Sequence, residues 1–231
     1  MGFFNGFVSL MIRGGPAMLA LLVCSVLVVA VVIERLIYFA QQHVDSEELV
    51  RQLAARVALD DLAGAIAICD QNAGMLPKIL KFGLQRGERS RIDIEDALSV
   101  ELRKQVGALE RYLAIIGTIA VVSPFIGLFG TVLGIIHAFD DIALKGNSSP
   151  AVVAAGVSEA LITTAAGLFV AVISVIFFNY FKVRSKADTR EMDEAADELA
   201  EVLHFHKIDR LTLPPAYRPA AVQKPTPAVG E

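Results

Sequence analysis

The sequence predicts an all-α membrane protein with three transmembrane helices and long cytoplasmic helical extensions. The first observation is where the charges are missing. The 231-residue chain is 55% apolar and 20% charged, only slightly more apolar than a soluble protein. Its charges nevertheless avoid 20 residues between Arg13 and Glu34, 28 between Arg111 and Asp140, and 22 between Glu159 and Lys182. An apolar run of about 18 or more has the length of a membrane-spanning helix. The second observation is that the segments outside these windows carry helix starts, stops and helical apolar spacing. An ordinary cytosolic enzyme is excluded. So is an outer-membrane barrel, whose strands are about ten residues of alternating polarity.

Residues 1–13 carry Phe3, Phe4, Phe7, Val8, Met11 and Ile12 at spacings of three and four, the pattern of an external amphipathic segment at the membrane interface. The first transmembrane helix covers 14–39. Pro16 suits its first turn, and Tyr38 and Phe39 suit the inner headgroup level. The run exceeds the ~7–15 apolar residues of a signal peptide and has no A-x-A site, so a retained helix is expected.

The cytoplasmic helical region covers 40–111. Asp45-Ser46-Glu47-Glu48 places acids in a first turn, where the helix dipole favours them. Asp60-Asp61 starts a helix over 62–69, Asn72-Ala73-Gly74 stops it, and residues 87–90 form a turn. Asp93, with Asp96 three residues on, is expected to cap a long helix. No proline follows until Pro124, so one helix is expected from about Ile94 through Arg111 into the membrane. Over 94–139 it would measure roughly 69 Å.

The second transmembrane helix covers 112–139. Asp140-Asp141 and the stretch from Lys145 to Pro150 give an external loop, 140–150. The third transmembrane helix covers 151–181. A cytoplasmic helix follows over 182–206, with Met192, Ala195, Leu199, Val202 and Leu203 at helical spacing among acids. Five prolines within 214–227 mark 207–231 as a disordered tail.

Orientation follows from Lys and Arg counts. Segment 34–111 holds eleven and segment 182–231 eight, whereas the segments before the first run and between the last two hold one each. The N-terminus is therefore expected outside and the C-terminus in the cytoplasm. The net charge of −4 gives no general attraction to nucleic acid. Cys24 and Cys69 fit neither a disulfide framework nor metal spacing. His204 and His206, two apart, do not share a helix face. No nucleophile, phosphate-binding or zinc motif is present, so no enzymatic activity, metal or cofactor is expected.

The polar residues inside the spans carry the functional expectation. These are Thr118, Ser123, Thr131 and His137 in the second span, and Ser158, Glu159, Thr163, Thr164 and Ser174 in the third. A hydroxyl in a span commonly bonds back to its own helix. Gly127, Gly130 and Gly134 form a small-residue face for close helix packing, expected to lie between subunits. Glu159 has two readings. A carboxylate in a span suggests an ion path or a buried partner. Yet the 22 residues after it measure about 33 Å as helix, which would leave it at the outer headgroups. Thr163 shares its face on an ideal helix, and Thr164 lies about 140° around.

Residues Ser123-Pro124-Phe125-Ile126-Gly127-Leu128-Phe129-Gly130-Thr131-Val132-Leu133-Gly134-Ile135-Ile136 resemble the second-span signature of the ExbB/TolQ (MotA/TolQ/ExbB) proton channel family. Residues 151–168, with Gly156, Glu159-Ala160-Leu161-Ile162-Thr163-Thr164-Ala165 and Gly167-Leu168, resemble its third-span signature. Ile33-Glu34-Arg35 resembles the end of its first span. The chain differs in having Ala155 and Ile173 where the family often has proline, and Leu133 where it has tryptophan.

The resemblance implies a short ExbB-type inner-membrane subunit, forming a homopentamer around a single-span ExbD- or TolR-like partner that brings an intramembrane aspartate. It implies a proton pathway through Glu159, Thr131 and Thr164, with Thr163 as a competing position. It also implies that proton motive force is passed to a TonB- or TolA-like protein, in the TonB case for transport across the outer membrane. The membrane potential supplies about 2.3 kcal/mol per proton per 100 mV. The alternatives are a TolQ-like subunit for cell-envelope maintenance and a non-conducting membrane scaffold. Ile33-Glu34-Arg35 leans toward the ExbB type, and His137 before Ala138-Phe139 toward the TolQ type.

Overall fold

The computed structural model describes residues 15–42, 44–145 and 150–212. The expected amphipathic segment 1–13 and residues 213–231 of the expected tail lie outside the described residues. Seven helices are described: α1 (Gly15–Ala40), α2 (Ser46–Ala58), α3 (Leu62–Gln71), α4 (Met75–Leu84), α5 (Arg91–Leu109), α6 (Leu113–Lys145) and α7 (Pro150–Thr212), with no strand among the described residues. Three are long and apolar enough to cross a membrane, over Gly15–Ala40, Leu113–Ala143 and Gly156–Ile208. The chain is an all-α membrane protein.

It divides into two compact units, Met1–Leu36 with Glu110–Val183, and Ile37–Leu109 with Arg184–Glu231. The first contains most of α1, all of α6 and the first part of α7. One stripe of α1 is buried, through Ala17, Met18, Leu21, Val28 and Val32, while Val121, Phe125 and Phe169 stand exposed. Large apolar side chains turned outward suit a unit whose surroundings are themselves apolar. Below the apolar stretch, Arg35 is buried. It donates to Glu34 at 2.5 Å and lies 5.7 Å from the centre of the Tyr112 ring. Lys182 donates to Glu110 at 2.8 Å.

The continuous helix expected over 94–139 is not what forms. It breaks at residues 110–112, between α5 and α6, where Tyr112 sits in the left-handed region at φ +66°. That conformation costs a residue with a Cβ about 1–2 kcal/mol. Here Arg111 stacks over the Tyr112 ring at 4.7 Å and Arg35 approaches the same ring. Two cation–π contacts offset the backbone cost.

The second unit contains α2–α5 and the last part of α7. Its helices start where short polar side chains can cap them. Asp45 accepts the Glu48 N–H at 3.1 Å, and Asp61 accepts the Gly64 N–H at 2.8 Å. For α5 the cap is Ser90 and not Asp93. The Ser90 hydroxyl accepts the Asp93 N–H at 3.2 Å and donates to the Asp93 carboxylate at 2.7 Å. Asp93 thus occupies the third helical position of a capping box, and the Ser90 hydroxyl holds its carboxyl below the usual carboxylate range.

The end of α7 runs past 206 to Thr212, so residues 207–212 are helical rather than part of a disordered tail. Lys207 explains this, because its ammonium donates to the Glu88 and Arg89 carbonyls at 3.0 and 2.9 Å. One turn of sequence is thereby tied to the helix end. His206 pairs with Asp60 at 3.1 Å. At its other end, α6 continues through Asp140 and Asp141 to Lys145, beyond the expected boundary at 139.

Cys69 is buried on α3, and burial, reinforced by the Asp70 carboxylate, pushes its thiol up to about 11. At pH 7 that leaves roughly one thiolate in 10,000, against a few per cent for a free thiol. Maleimide modification of Cys69 in the folded protein should therefore run at least about a hundredfold slower than that of an exposed cysteine placed at Gln71. Equal rates would show that α3 is not packed as described. Exposure of the second unit is better reported by Gln71→Cys than by Cys69.

Candidate functional site: a small-residue seam between two spans

The candidate site is where α6 and α7 approach each other within the first unit. Along α6 the residues Ser123, Gly127, Gly130, Gly134 and Ala138 recur at spacings of 4, 3, 4 and 4. Along α7, Gly156, Ala160, Thr163 and Gly167 recur at 4, 3 and 4. Each series stays on one helix face. The two meet in antiparallel order. A Cβ placed on Gly167 would lie 2.6 Å from the Ser123 carbonyl oxygen. One on Gly127 would lie 3.0 Å from the Thr164 Cα, and one on Gly130 2.4 Å from the Thr163 methyl. One on Gly134 would lie 2.9 Å from the Ala160 Cβ, and one on Gly156 2.6 Å from the Ala138 Cβ. Backbone therefore meets backbone at Gly127 and Gly167, and backbone meets small side chains at Gly130, Gly134 and Gly156, which is the close approach small residues allow in a membrane. The α1 helix joins at Ala17, whose Cβ is 3.0 Å from the same position on Gly130.

This placement corrects the expectation that the Gly127/Gly130/Gly134 face lies between subunits. Within a single chain it is already occupied by the third span. Gly156 and Gly167 complete the seam; in the sequence they stand out only within the third-span signature, with no packing role expected of them. Their eleven-residue separation, three helical turns, was the available signal.

The hydroxyls divide into two groups. Thr131 Oγ1 donates to the Leu128 carbonyl at 2.6 Å, Thr118 to Ala114 at 2.8 Å and Ser174 to Val170 at 2.7 Å, each within its own helix. Thr164 does not bond back. Its Oγ1 donates to the Gly127 carbonyl of the neighbouring span at 3.0 Å. In helix register that carbonyl also receives the Thr131 N–H, so Gly127 ties the two threonines together. Thr163 is buried in the seam, whereas Thr131 and Thr164 keep partial exposure. Glu159 lies on α7 one residue before the seam residue Ala160 and one turn before Thr163.

The chemistry of Thr131 and Thr164 follows from where their protons go. A hydroxyl has one donor and two acceptor lone pairs. Both donors are committed to backbone carbonyls, so toward a third group each threonine presents an acceptor. The complement of two acceptors is an O–H donor, such as a protonated carboxyl or a water.

Comparison with known proteins adds a family. A family model described as the MotA/TolQ/ExbB proton channel family matches residues 71–194. The chain is similar to Tol-Pal system protein TolQ of Haemophilus influenzae, at 38% identity over 47% of each chain. It is similar to biopolymer transport protein ExbB of Salmonella typhimurium, at 32% identity over 71% of this chain and 70% of that protein. It is also similar to biopolymer transport protein ExbB of Neisseria meningitidis, at 30% identity over 78% of this chain and 86% of that one. The match spans about half the length of the TolQ relatives and most of the length of these ExbB relatives.

Proposed function

We propose, from the premise that this chain belongs to the MotA/TolQ/ExbB proton channel family, that it is an ExbB-like subunit of an inner-membrane proton-channel motor. The observation that carries the reading is the paired hydroxyl site. Thr131 and Thr164, joined through the Gly127 carbonyl, are held as acceptors on partly exposed faces of two spans. In this proposal several copies of the chain, most simply five, surround the span of an ExbD- or TolR-like partner. The partner's aspartate docks against the threonines when it is protonated and leaves when it ionises. Glu159 supplies the second titratable carboxyl of the path. The partner's cycle is passed on to a TonB-like protein for transport across the outer membrane.

Reconstitution tests this reading against a scaffold. The chain and its single-span partner in phospholipid vesicles, given an inside-negative potential, should acidify the interior, as read by an entrapped pH dye. A scaffold passes no protons. Orientation has its own test. In a background lacking Cys24 and Cys69, a cysteine at Ser148 should react with an impermeant maleimide in intact spheroplasts, and one at Gln71 only after lysis. The reverse result would place the C-terminus outside.

The TolQ-like reading is favoured by the 38–40% identity over 108 residues to two TolQ proteins. The longer coverage by ExbB relatives, 70–86% of their length, favours the ExbB type. Complementation separates them: loss of the gene should impair energy-dependent nutrient uptake in the first case, and detergent resistance of the envelope in the second.

A further inference from the structure

Besides Thr163, the seam contains a polar side chain that the paired hydroxyl site does not use. Ser123 is fully buried, and its Oγ has no hydrogen-bond partner. Its carbonyl faces Gly167 at the closest backbone approach of the seam, and α6 continues as helix on both sides. The next residue, Pro124, stands inside the helix. Proline has no N–H, so the Ala120 carbonyl four residues back loses its helical donor. A buried hydroxyl without a partner and a carbonyl without its helical N–H therefore lie one turn apart within a span, where unsatisfied polar groups are most costly. Buried groups of this kind call for an internal water or a functional role.

We propose that Ser123 and the Ala120 carbonyl bind a water molecule inside the α6/α7 seam, and that this water extends the polar path of Thr131 and Thr164 about one turn further along α7, to the level of Gly167. The inference rests on the channel reading for its functional half. Its binding half stands on Ser123 and Pro124 alone. A water with two such partners accepts from the Ser123 hydroxyl and donates to the carbonyl. It can take up one proton as it releases another, returning neutral. A seam needed only for packing has no use for a serine here, because alanine fills the same space without a hydroxyl to satisfy.

Two measurements test it on the full-length protein in phospholipid vesicles. In water-edited solid-state NMR with carbon-13 serine, the Ser123 signal, assigned by its loss in Ser123→Ala, should gain intensity from water faster than Ser174. Ser174 is equally buried but bonded to its own helix. A Ser123 signal as slow as Ser174 would overturn the proposal. In the proton-flux assay with the partner present, Ser123→Ala should reduce flux roughly tenfold, the effect of losing about one hydrogen bond from the barrier, with no loss of thermal stability. Pro124→Ala returns an N–H to Ala120 and should give a similar reduction. The double variant should be no slower than either single, because both remove the same water. Unchanged flux in Ser123→Ala, or a fall matched by lost stability, overturns the proposal. If Glu159→Gln also leaves flux intact, the channel reading itself has failed, whatever the NMR shows about the water.

Discussion

Glu159→Gln should lower potential-driven transport below a hundredth of wild type while the oligomer still forms. The substitution is nearly isosteric and removes only the ability to titrate. A carboxyl can donate when protonated and accept when ionised, whereas an amide cannot exchange those roles. A hundredfold loss corresponds to about 2.7 kcal/mol in the barrier, within reach of a single misplaced charge in a low-dielectric site. Thr131→Val and Thr164→Val keep the branched shape and remove the acceptors. Each should slow transport by roughly tenfold to a hundredfold if the partner's carboxyl then lacks a hydrogen bond worth about 1–3 kcal/mol. Thr163→Val should stay near wild type, because the Thr163 methyl that packs against Gly130 is preserved in valine. If Thr163→Val abolishes transport and Thr164→Val does not, the path runs along the other face of α7. If all four variants transport normally and assemble, the chain is a scaffold.

The largest structural effect is expected from Gly167→Ala. Its new methyl would stand 2.6 Å from the Ser123 carbonyl oxygen, and a backbone oxygen cannot rotate away. Gly130→Ala meets the Thr163 side chain and the Ala17 Cβ instead of backbone. Overpacking of this kind costs about 1–3 kcal/mol, and Gly167 belongs at the upper end because relief requires the two helices to separate. The measurable outcome is a collapse in the yield of detergent-stable protein, with heat aggregation at a lower temperature. Gly107→Ala is the internal control. A Cβ there has open space, on the exposed face of α5, so the change should raise stability by about 0.5–1 kcal/mol through helix propensity alone. If both alanines behave alike, the seam is not as tight as described.

The spans were legible because hydrocarbon imposes a length and an absence of charge, and both are written in one dimension. Gly127, Gly130 and Gly134 were legible as a packing face for the same reason. What they pack against was not, since a stripe of small residues has no address. Only its match with Gly156, Ala160, Thr163 and Gly167 supplies one. The break before α6 was hidden because Glu110, Arg111 and Tyr112 include no glycine or proline. It exists through contacts of Tyr112 with Arg35, distant in sequence, and with its neighbour Arg111. The cap of α5 was misplaced by one turn because serine and aspartate both cap well, and here they share the work. Thr164 could not be told from Thr131 in sequence, since whether a hydroxyl bonds to its own helix or to the next depends on the separation of the two.

The seam also bears on biogenesis. Because α6 and α7 follow one another with a short connection and lock along matched small residues, they form a hairpin that can close as soon as both have entered the bilayer. It needs neither a second copy of the chain nor the partner. A nascent chain halted before α7 would leave Gly127, Gly130 and Gly134 facing lipid with nothing to fill them. Such a chain should persist more briefly in the cell than one that has completed α7.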